Sequence, residues 1–140
     1  MLVTQKSQYA LRAIYELAKR KGKGPIKISQ IAQAQAIPLR FLEVILNQLK
    51  HNGFVKSKRG YHGGYFLLRS PDEITVGDII RYTGGSLSPV HCLDSTFKIN
   101  CPLGSNCAFL PLWSKVQKAI FEIYDGTTMQ NLLDYEKQNR

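Results

Sequence analysis

Apolar residues recur at helical spacing over residues 7–50 and predict three helices. The first helix, Ser7–Lys19, has an apolar stripe of Ala10, Leu11, Ile14, Tyr15, Leu17 and Ala18. A second, short helix begins at Ser29, a favourable N-cap residue, and ends near Ala34. Pro38 takes the first position of a third helix, whose buried face is formed by Phe41, Leu42, Ile45, Leu46 and Leu49. Two short helices joined by a tight turn are typical of a helix-turn-helix.

The pattern then changes to two strand-like runs, at residues 54–58 and 65–69. The intervening run, Arg59-Gly60-Tyr61-His62-Gly63-Gly64, has three glycines and favours the tip of a β-hairpin. A hairpin directly after a helix-turn-helix is a wing. We therefore predict a mainly α fold with a small β-wing, a winged helix-turn-helix domain.

The second half of the chain predicts two helices on either side of a long loop and a short helix at the end. Thr75 caps the first of them, which ends at Gly84-Gly85. The loop that follows extends over about 23 residues, to about Cys107, which is long for a connection within a compact domain. A long helix then covers about 109–124, and Thr127 or Thr128 caps the last short helix.

Composition favours a globular protein over a membrane-spanning or secreted one. The chain has 140 residues, of which 44% are hydrophobic, so it can build a core. No apolar run approaches the ~18–20 residues that a membrane span requires. Residues 1–6 lack the apolar stretch of a secretion signal. We therefore expect a soluble cytoplasmic protein without membrane contact.

Charge is distributed unevenly between the two halves. Residues 1–71 carry 13 Lys and Arg against 2 acidic residues, a net charge of +11, whereas residues 72–140 carry 6 against 8, a net charge of −2. A basic half of this kind indicates a polyanionic partner. The polar face of the third helix contains residue types that recognise base edges in DNA, namely Arg40, Glu43 and Asn47, with Lys50 beside them.

Further residues of the basic half are candidates for contacts to the DNA backbone. The wing contributes Lys56, Lys58 and Arg59, of which Arg59 is also suited to a minor groove. The start of the second helix contributes Ser29 and Gln30. Pro38 and Leu39, at the start of the third helix, are further candidates for contact with DNA. Double-stranded DNA is favoured over RNA because the chain shows no aromatic platform for unstacked bases.

All three cysteines lie in the long loop, in the pattern Cys92-x8-Cys101-x5-Cys107 with His91 beside the first. An odd number of clustered thiols in a reducing compartment does not form a disulfide framework. The spacing leaves a metal centre and reactive or incidental thiols equally open. There is no Cys-x2-Cys pair of a zinc ribbon or thiol oxidoreductase, and no motif of an enzyme active site. We therefore predict that the chain is not an enzyme.

Several runs together resemble the IscR/NsrR/RirA-type winged-helix regulators of the Rrf2 family. They are Ser7-Gln8-Tyr9-Ala10-Leu11-Arg12, Ile37-Pro38-Leu39-Arg40-Phe41-Leu42-Glu43, Leu49-Lys50-His51-Asn52-Gly53-Phe54-Val55 and Arg59-Gly60-Tyr61-His62-Gly63-Gly64-Tyr65. Ile74-Thr75-Val76-Gly77-Asp78-Ile79-Ile80 and the cysteine loop also fit, so the resemblance covers roughly residues 1–135. The resemblance implies three parts: a DNA-binding domain at 1–83, a cluster loop at 84–108, and a dimerisation helix with a short C-terminal helix at 109–140.

The resemblance also implies a homodimer that places two recognition helices on a pseudo-palindromic operator. It further implies that Cys92, Cys101 and Cys107 hold an iron–sulfur cluster, most often [2Fe–2S], whose state changes operator affinity. Leu110 stands where some members have a histidine ligand, so the candidates for the fourth ligand are His91 and Gln8 of the partner subunit. The alternative is a cluster-free winged-helix regulator that acts through thiol chemistry or contacts with a partner protein.

Overall fold

The computed structural model describes residues 3–96 and 100–140. It is mainly helical with one two-stranded antiparallel sheet, as predicted. The elements are α1 (Gln5–Lys19), α2 (Ile28–Gln35), α3 (Leu39–His51), β1 (Val55–Lys58), β2 (Gly64–Leu67), α4 (Val76–Gly84), α5 (Leu110–Asp125) and α6 (Met129–Gln138). Short 3-10 turns lie at Pro71–Glu73, His91–Leu93 and Gly104–Asn106, so the predicted long loop has some local structure.

One hydrophobic core holds the first four helices and the wing together. Its fully buried side chains come from the predicted stripes of α1 and α3, from the residues beside β1, and from α4; they include Ile14, Leu42, Ile45, Leu46, Leu49, Phe54 and Ile79. Removal of this apolar surface from water is the main stabilising contribution to the fold. The core therefore fixes α3 and the wing in one rigid unit.

The predicted starts of the first three helices are wrong by one or two residues, whereas Thr75 and Thr128 are the N-cap residues of α4 and α6, as predicted. α1 begins at Gln5 because the Thr4 hydroxyl accepts a hydrogen bond from the backbone N–H of Ser7. The prediction that Ser29 caps α2 is wrong: Lys27 is the N-cap residue, and the Gln30 side chain accepts from its backbone N–H. Likewise, Pro38 precedes α3 as its N-cap rather than occupying the first helical position.

The segment before α2 is joined to the wing. Ile26 and Tyr65 exchange two backbone hydrogen bonds of 2.8 Å each, which adds a bridge to the β2 side of the hairpin. This close approach requires Gly64, because a Cβ at that position would lie 2.4 Å from the Ile26 carbonyl oxygen. Extended backbone at Ile26 and Lys27 is also the reason that α2 begins where it does.

Two predicted apolar surfaces are not buried within the chain. Phe41, predicted on the inner face of α3, is 55% exposed and lies near Tyr9 on α1. None of the residues of α5 is buried, although its apolar stripe is present in the sequence. In contrast, α6 returns to the core, where Met129 is fully buried and its N–H donates to the Ile74 carbonyl.

No helix among the described residues combines the length and the apolar character needed to cross a membrane.

Candidate nucleic-acid interface and cysteine loop

The solvent face of α3 carries the predicted base-reading residues. Arg40, Glu43 and Asn47 are all exposed, one or two helical turns apart, opposite the buried Leu42, Leu46 and Leu49. None of the ion pairs formed by described residues uses Arg40 or Glu43. Three polar side chains with hydrogen-bonding capacity are therefore presented together on one helix surface.

The wing lies beside this helix and is attached to it. The Lys50 ammonium donates to the Ser57 hydroxyl at 2.9 Å, which connects the end of α3 to β1. Lys56, Lys58 and Arg59 are exposed on β1 and at the hairpin tip. β1 and β2 pair in register from Val55 to Lys58, so Lys56 and Lys58 lie on a paired strand that leads to the basic tip.

The remaining predicted contacts surround the turn between α2 and α3. Ser29, Gln30, Pro38 and Leu39 are all exposed. The turn is tight because Ala36 adopts a left-handed conformation, with φ of 51°. Exposed polar and basic groups on α2, α3 and the wing thus form one continuous surface, and we refer to it as the basic face.

The cysteine loop extends from α4 to α5. Cys92 and Cys101 are exposed, Cys107 is half-buried, and all three are free thiols. Among the described residues, no group of three or more His, Cys, Asp or Glu side chains is placed to hold a metal ion. The three thiols are therefore not gathered at one point in this conformation, although three thiols on one loop are chemically suited to iron.

The two candidates for a fourth ligand lie on α1 and in the cysteine loop. The Gln8 side chain donates its amide to the Val3 carbonyl at 3.1 Å, and an amide is a poor iron ligand. Leu110 is apolar and begins α5. His91 shares a 3-10 turn with Cys92.

Sequence reasoning missed the side chains that attach the loop to α5. Gln117 donates to the Ser88 hydroxyl at 2.6 Å and to the Leu93 carbonyl at 3.3 Å. Asp94 is buried, and hydrogen bonds from the Ser86 and Thr96 side chains lower its pKa. The Asp94-Ser95-Thr96 run has the composition of an Asx turn, the one sequence signal for this attachment.

Comparison with known proteins identifies the family. Residues 3–135 match Rrf2, described as an iron-dependent transcriptional regulator. The chain belongs to the Rrf2 family. It is 38% identical to the HTH-type transcriptional regulator CymR of Bacillus subtilis over 96% of this chain and 91% of that protein. It is 33% identical to IscR of Sodalis glossinidius over 98% of this chain and 81% of that protein.

Solved structures agree with this assignment. The structure of CymR, the global cysteine regulator of B. subtilis, superposes with a TM-score of 0.81, covering 96% of this chain and 98% of that chain. T. potens IscR superposes with a TM-score of 0.78 at 32% identity, covering 100% of this chain and 91% of that chain. The winged-helix fold and the predicted family are confirmed, and the relatives are transcriptional regulators, in agreement with the prediction of no enzymatic activity.

Proposed function

We propose that this Rrf2-family regulator binds duplex DNA sequence-specifically through the basic face. The observation that carries the proposal is the exposed set Arg40, Glu43 and Asn47 on α3, beside a fixed basic wing. Arg pairs with guanine, Asn with adenine, and Glu accepts from cytosine in a major groove. The wing cations Lys58 and Arg59 then contact the phosphates that flank the groove.

Selection of bound duplexes from a random-sequence pool tests this proposal. We expect a pseudo-palindromic consensus and an affinity that falls steeply as the KCl concentration increases. Arg40→Ala is expected to relax the selected sequence at one position of each half-site. Lys137→Ala, an exposed substitution on α6, is the matched control and is expected to leave the consensus unchanged. A wild-type protein that enriches no sequence would contradict the proposal.

We also propose that the protein is a homodimer joined through α5. The supporting observation is that α5 contributes no buried residue to its own chain while Leu112 and Ile123 are 50% and 64% exposed. An apolar stripe of this length indicates a protein interface. Sedimentation of Ile123→Lys is expected to show monomer, whereas Asp134→Lys, on the polar surface of α6, is expected to stay dimeric.

For the signal, we propose an iron–sulfur cluster held by Cys92, Cys101 and Cys107, which would require the loop to gather the three thiols. The family description as iron-dependent and the position of the loop against α5 support this proposal. We propose His91 or Gln8 of the partner subunit as the fourth ligand. We also propose that the chain divides into a DNA-binding domain at 1–83, a cluster loop at 84–108, and a dimerisation helix with a short C-terminal helix at 109–140. The cluster would make the affinity for DNA sensitive to iron, to redox state or to nitric oxide.

Thiol chemistry without a cluster is the second candidate, because Cys92 and Cys101 are exposed and not gathered with other metal-ligating side chains of the described residues. The two candidates are separated by the visible spectrum of protein purified without air, with iron and sulfide assayed on the same sample. Visible absorbance that Cys101→Ser removes supports the cluster. A colourless protein that iron and sulfide do not reconstitute, but whose DNA affinity changes on reversible oxidation, supports the thiols.

A further inference from the structure

A basic cleft separates the loop before α2 from the tip of the wing. Its volume is about 380 Å³, and its polar lining consists of Lys23, Lys27, Gln30, Tyr61 and His62, without any acidic residue. The ion pairs formed by described residues do not include Lys23 or Lys27. Two uncompensated ammonium groups at one cleft favour an anionic ligand.

The Tyr61 ring contacts one of these ammonium groups, that of Lys27, in the lining of the cleft. The Tyr61 side chain is 83% exposed, so it contributes little to the core. The Lys27 Nζ lies 5.0 Å from the centroid of the Tyr61 ring, and the His62 ring packs against it at 4.9 Å with an interplanar angle of 89°. A cation over an aromatic face is attracted to it, so the ring restricts where Lys27 points.

The two walls of the cleft are fixed relative to each other. The Ile26–Tyr65 bridge attaches the Lys27 side to the wing. At the hairpin tip, a Cβ on Gly63 would lie 2.1 Å from the Lys58 carbonyl oxygen, so this turn is closely packed. The cleft is therefore preformed, which reduces the ordering cost of binding a ligand.

We propose that this cleft binds one phosphate group of duplex DNA through Lys27, and that the Tyr61 ring is the positioning residue for the Lys27 ammonium. This inference rests on the proposed DNA-binding function and adds a contact made jointly by the α2 side and the wing. Lys23 also lines the cleft and contributes attraction to the same phosphate. A phosphate held between two elements fixes the depth at which α3 enters the groove.

The test measures the affinity of the 140-residue protein for one duplex over a range of KCl concentrations. Loss of a phosphate contact reduces the magnitude of the slope of log affinity against log salt concentration by about one for each contact removed. It also reduces the affinity for all DNA sequences by the same factor. We expect this for Lys27→Met. Tyr61→Leu is expected to produce the same loss, whereas Tyr61→Phe, which keeps the ring, is expected to retain the wild-type slope.

The double variant distinguishes two cases: Tyr61 and Lys27 acting together on one phosphate, or each side chain contacting the DNA independently. If Tyr61 acts through Lys27, Lys27→Met with Tyr61→Leu is expected to lose no more affinity than Lys27→Met alone. Lys137→Met, on the exposed surface of α6, is the matched control for removal of one positive charge. Lys27 and Tyr61 are exposed, so neither substitution removes core packing, and circular dichroism verifies that each variant is folded.

Two results would overturn the inference while the proposed function stands. The first is a wild-type salt slope in Lys27→Met. The second is an additive loss in the double variant. Failure of the wild-type protein to bind any duplex would instead overturn the DNA-binding proposal and this inference with it.

Discussion

Arg81 on α4 and Asp125 at the end of α5 form a two-pronged ion pair, with nitrogen–oxygen distances of 2.6 and 2.8 Å. The Arg81 guanidinium also lies over the Phe121 ring, 5.2 Å from its centroid. Among the described residues, this is the one ion pair that joins the winged domain to α5. Two parallel N–H···O bonds make this contact more directional than a single hydrogen bond.

Disruption of this pair is expected to change regulation more than stability. Because both side chains are about 40% exposed, Asp125→Asn is expected to cost at most about 1 kcal/mol of unfolding free energy. We expect DNA affinity to respond less to the state of the cysteine loop in this variant. Urea unfolding and DNA titration on the same samples measure the two effects, and Asp134→Asn, an exposed change on α6, is the control.

Glu136 is expected to make the attachment of α6 sensitive to acid. Tyr15 donates a hydrogen bond to its carboxylate, and with Lys19 and Arg140 nearby the pKa of Glu136 falls from 4.5 to about 2. A pKa that is lower in the folded state contributes stability above its unfolded value, and this contribution is lost as pH falls through the folded value. Wild-type stability is therefore expected to fall between pH 4.5 and about 2.

Glu136→Gln supplies the control for that prediction, because the amide does not titrate. Its urea midpoint is expected to be lower than that of the wild type at neutral pH and to converge with it in acid. Equal pH dependence in the two proteins would contradict the role assigned to Glu136.

Gly64→Ala is expected to loosen the wing without unfolding the helices. The new Cβ would lie within 3 Å of the Ile26 backbone, so the bridge between the α2 side and β2 must open. DNA affinity is expected to fall while the helical circular dichroism is retained. Gly22→Ala, a glycine with open space around it and also a positive φ, controls for the backbone cost alone.

Glu43→Ala is expected to relax the choice of DNA site. A carboxylate on the groove-facing side of α3 accepts from cytosine but repels phosphates and most other base edges, so it penalises wrong sites. The expected loss of discrimination is about 1–3 kcal/mol at one position of each half-site. Competition between single-base variants of a selected duplex measures it, and unchanged or sharper discrimination would contradict the prediction.

Periodicity predicted the helices and the wing well because these elements bury a single face against one core. Leu42, Leu46 and Leu49 are buried where the 3.6-residue pattern placed them. The same reasoning was wrong for Phe41, since apolar spacing does not distinguish a core residue from one on a partner-facing surface. The prediction of Ser29 as the N-cap residue was wrong because the backbone bridge between Ile26 and Tyr65 determines where α2 begins.

The cysteine loop was the least predictable part of the candidate site. Its attachment depends on Gln117, Asp94 and Ser88, which are polar residues without a periodic pattern. The spacing of Cys92, Cys101 and Cys107 identified a chemistry but carries no information on whether the loop brings the thiols together. That arrangement depends on the loop conformation, which sequence spacing does not specify.

Because α6 returns to the core, α5 is anchored at its C-terminal end and is joined to the cysteine loop at its N-terminal end. Met129 is buried beyond the C-terminal end of α5 and Arg81 is paired with Asp125, so this end of the helix is attached to the core. The helix has 16 residues, a length of roughly 24 Å, and the cysteine loop enters at the opposite end. A shift of about 1 Å there corresponds to a rotation of roughly 2° over that length. In the proposed dimer, we therefore expect a small rearrangement of the loop to alter the angle at which the two recognition helices meet one duplex.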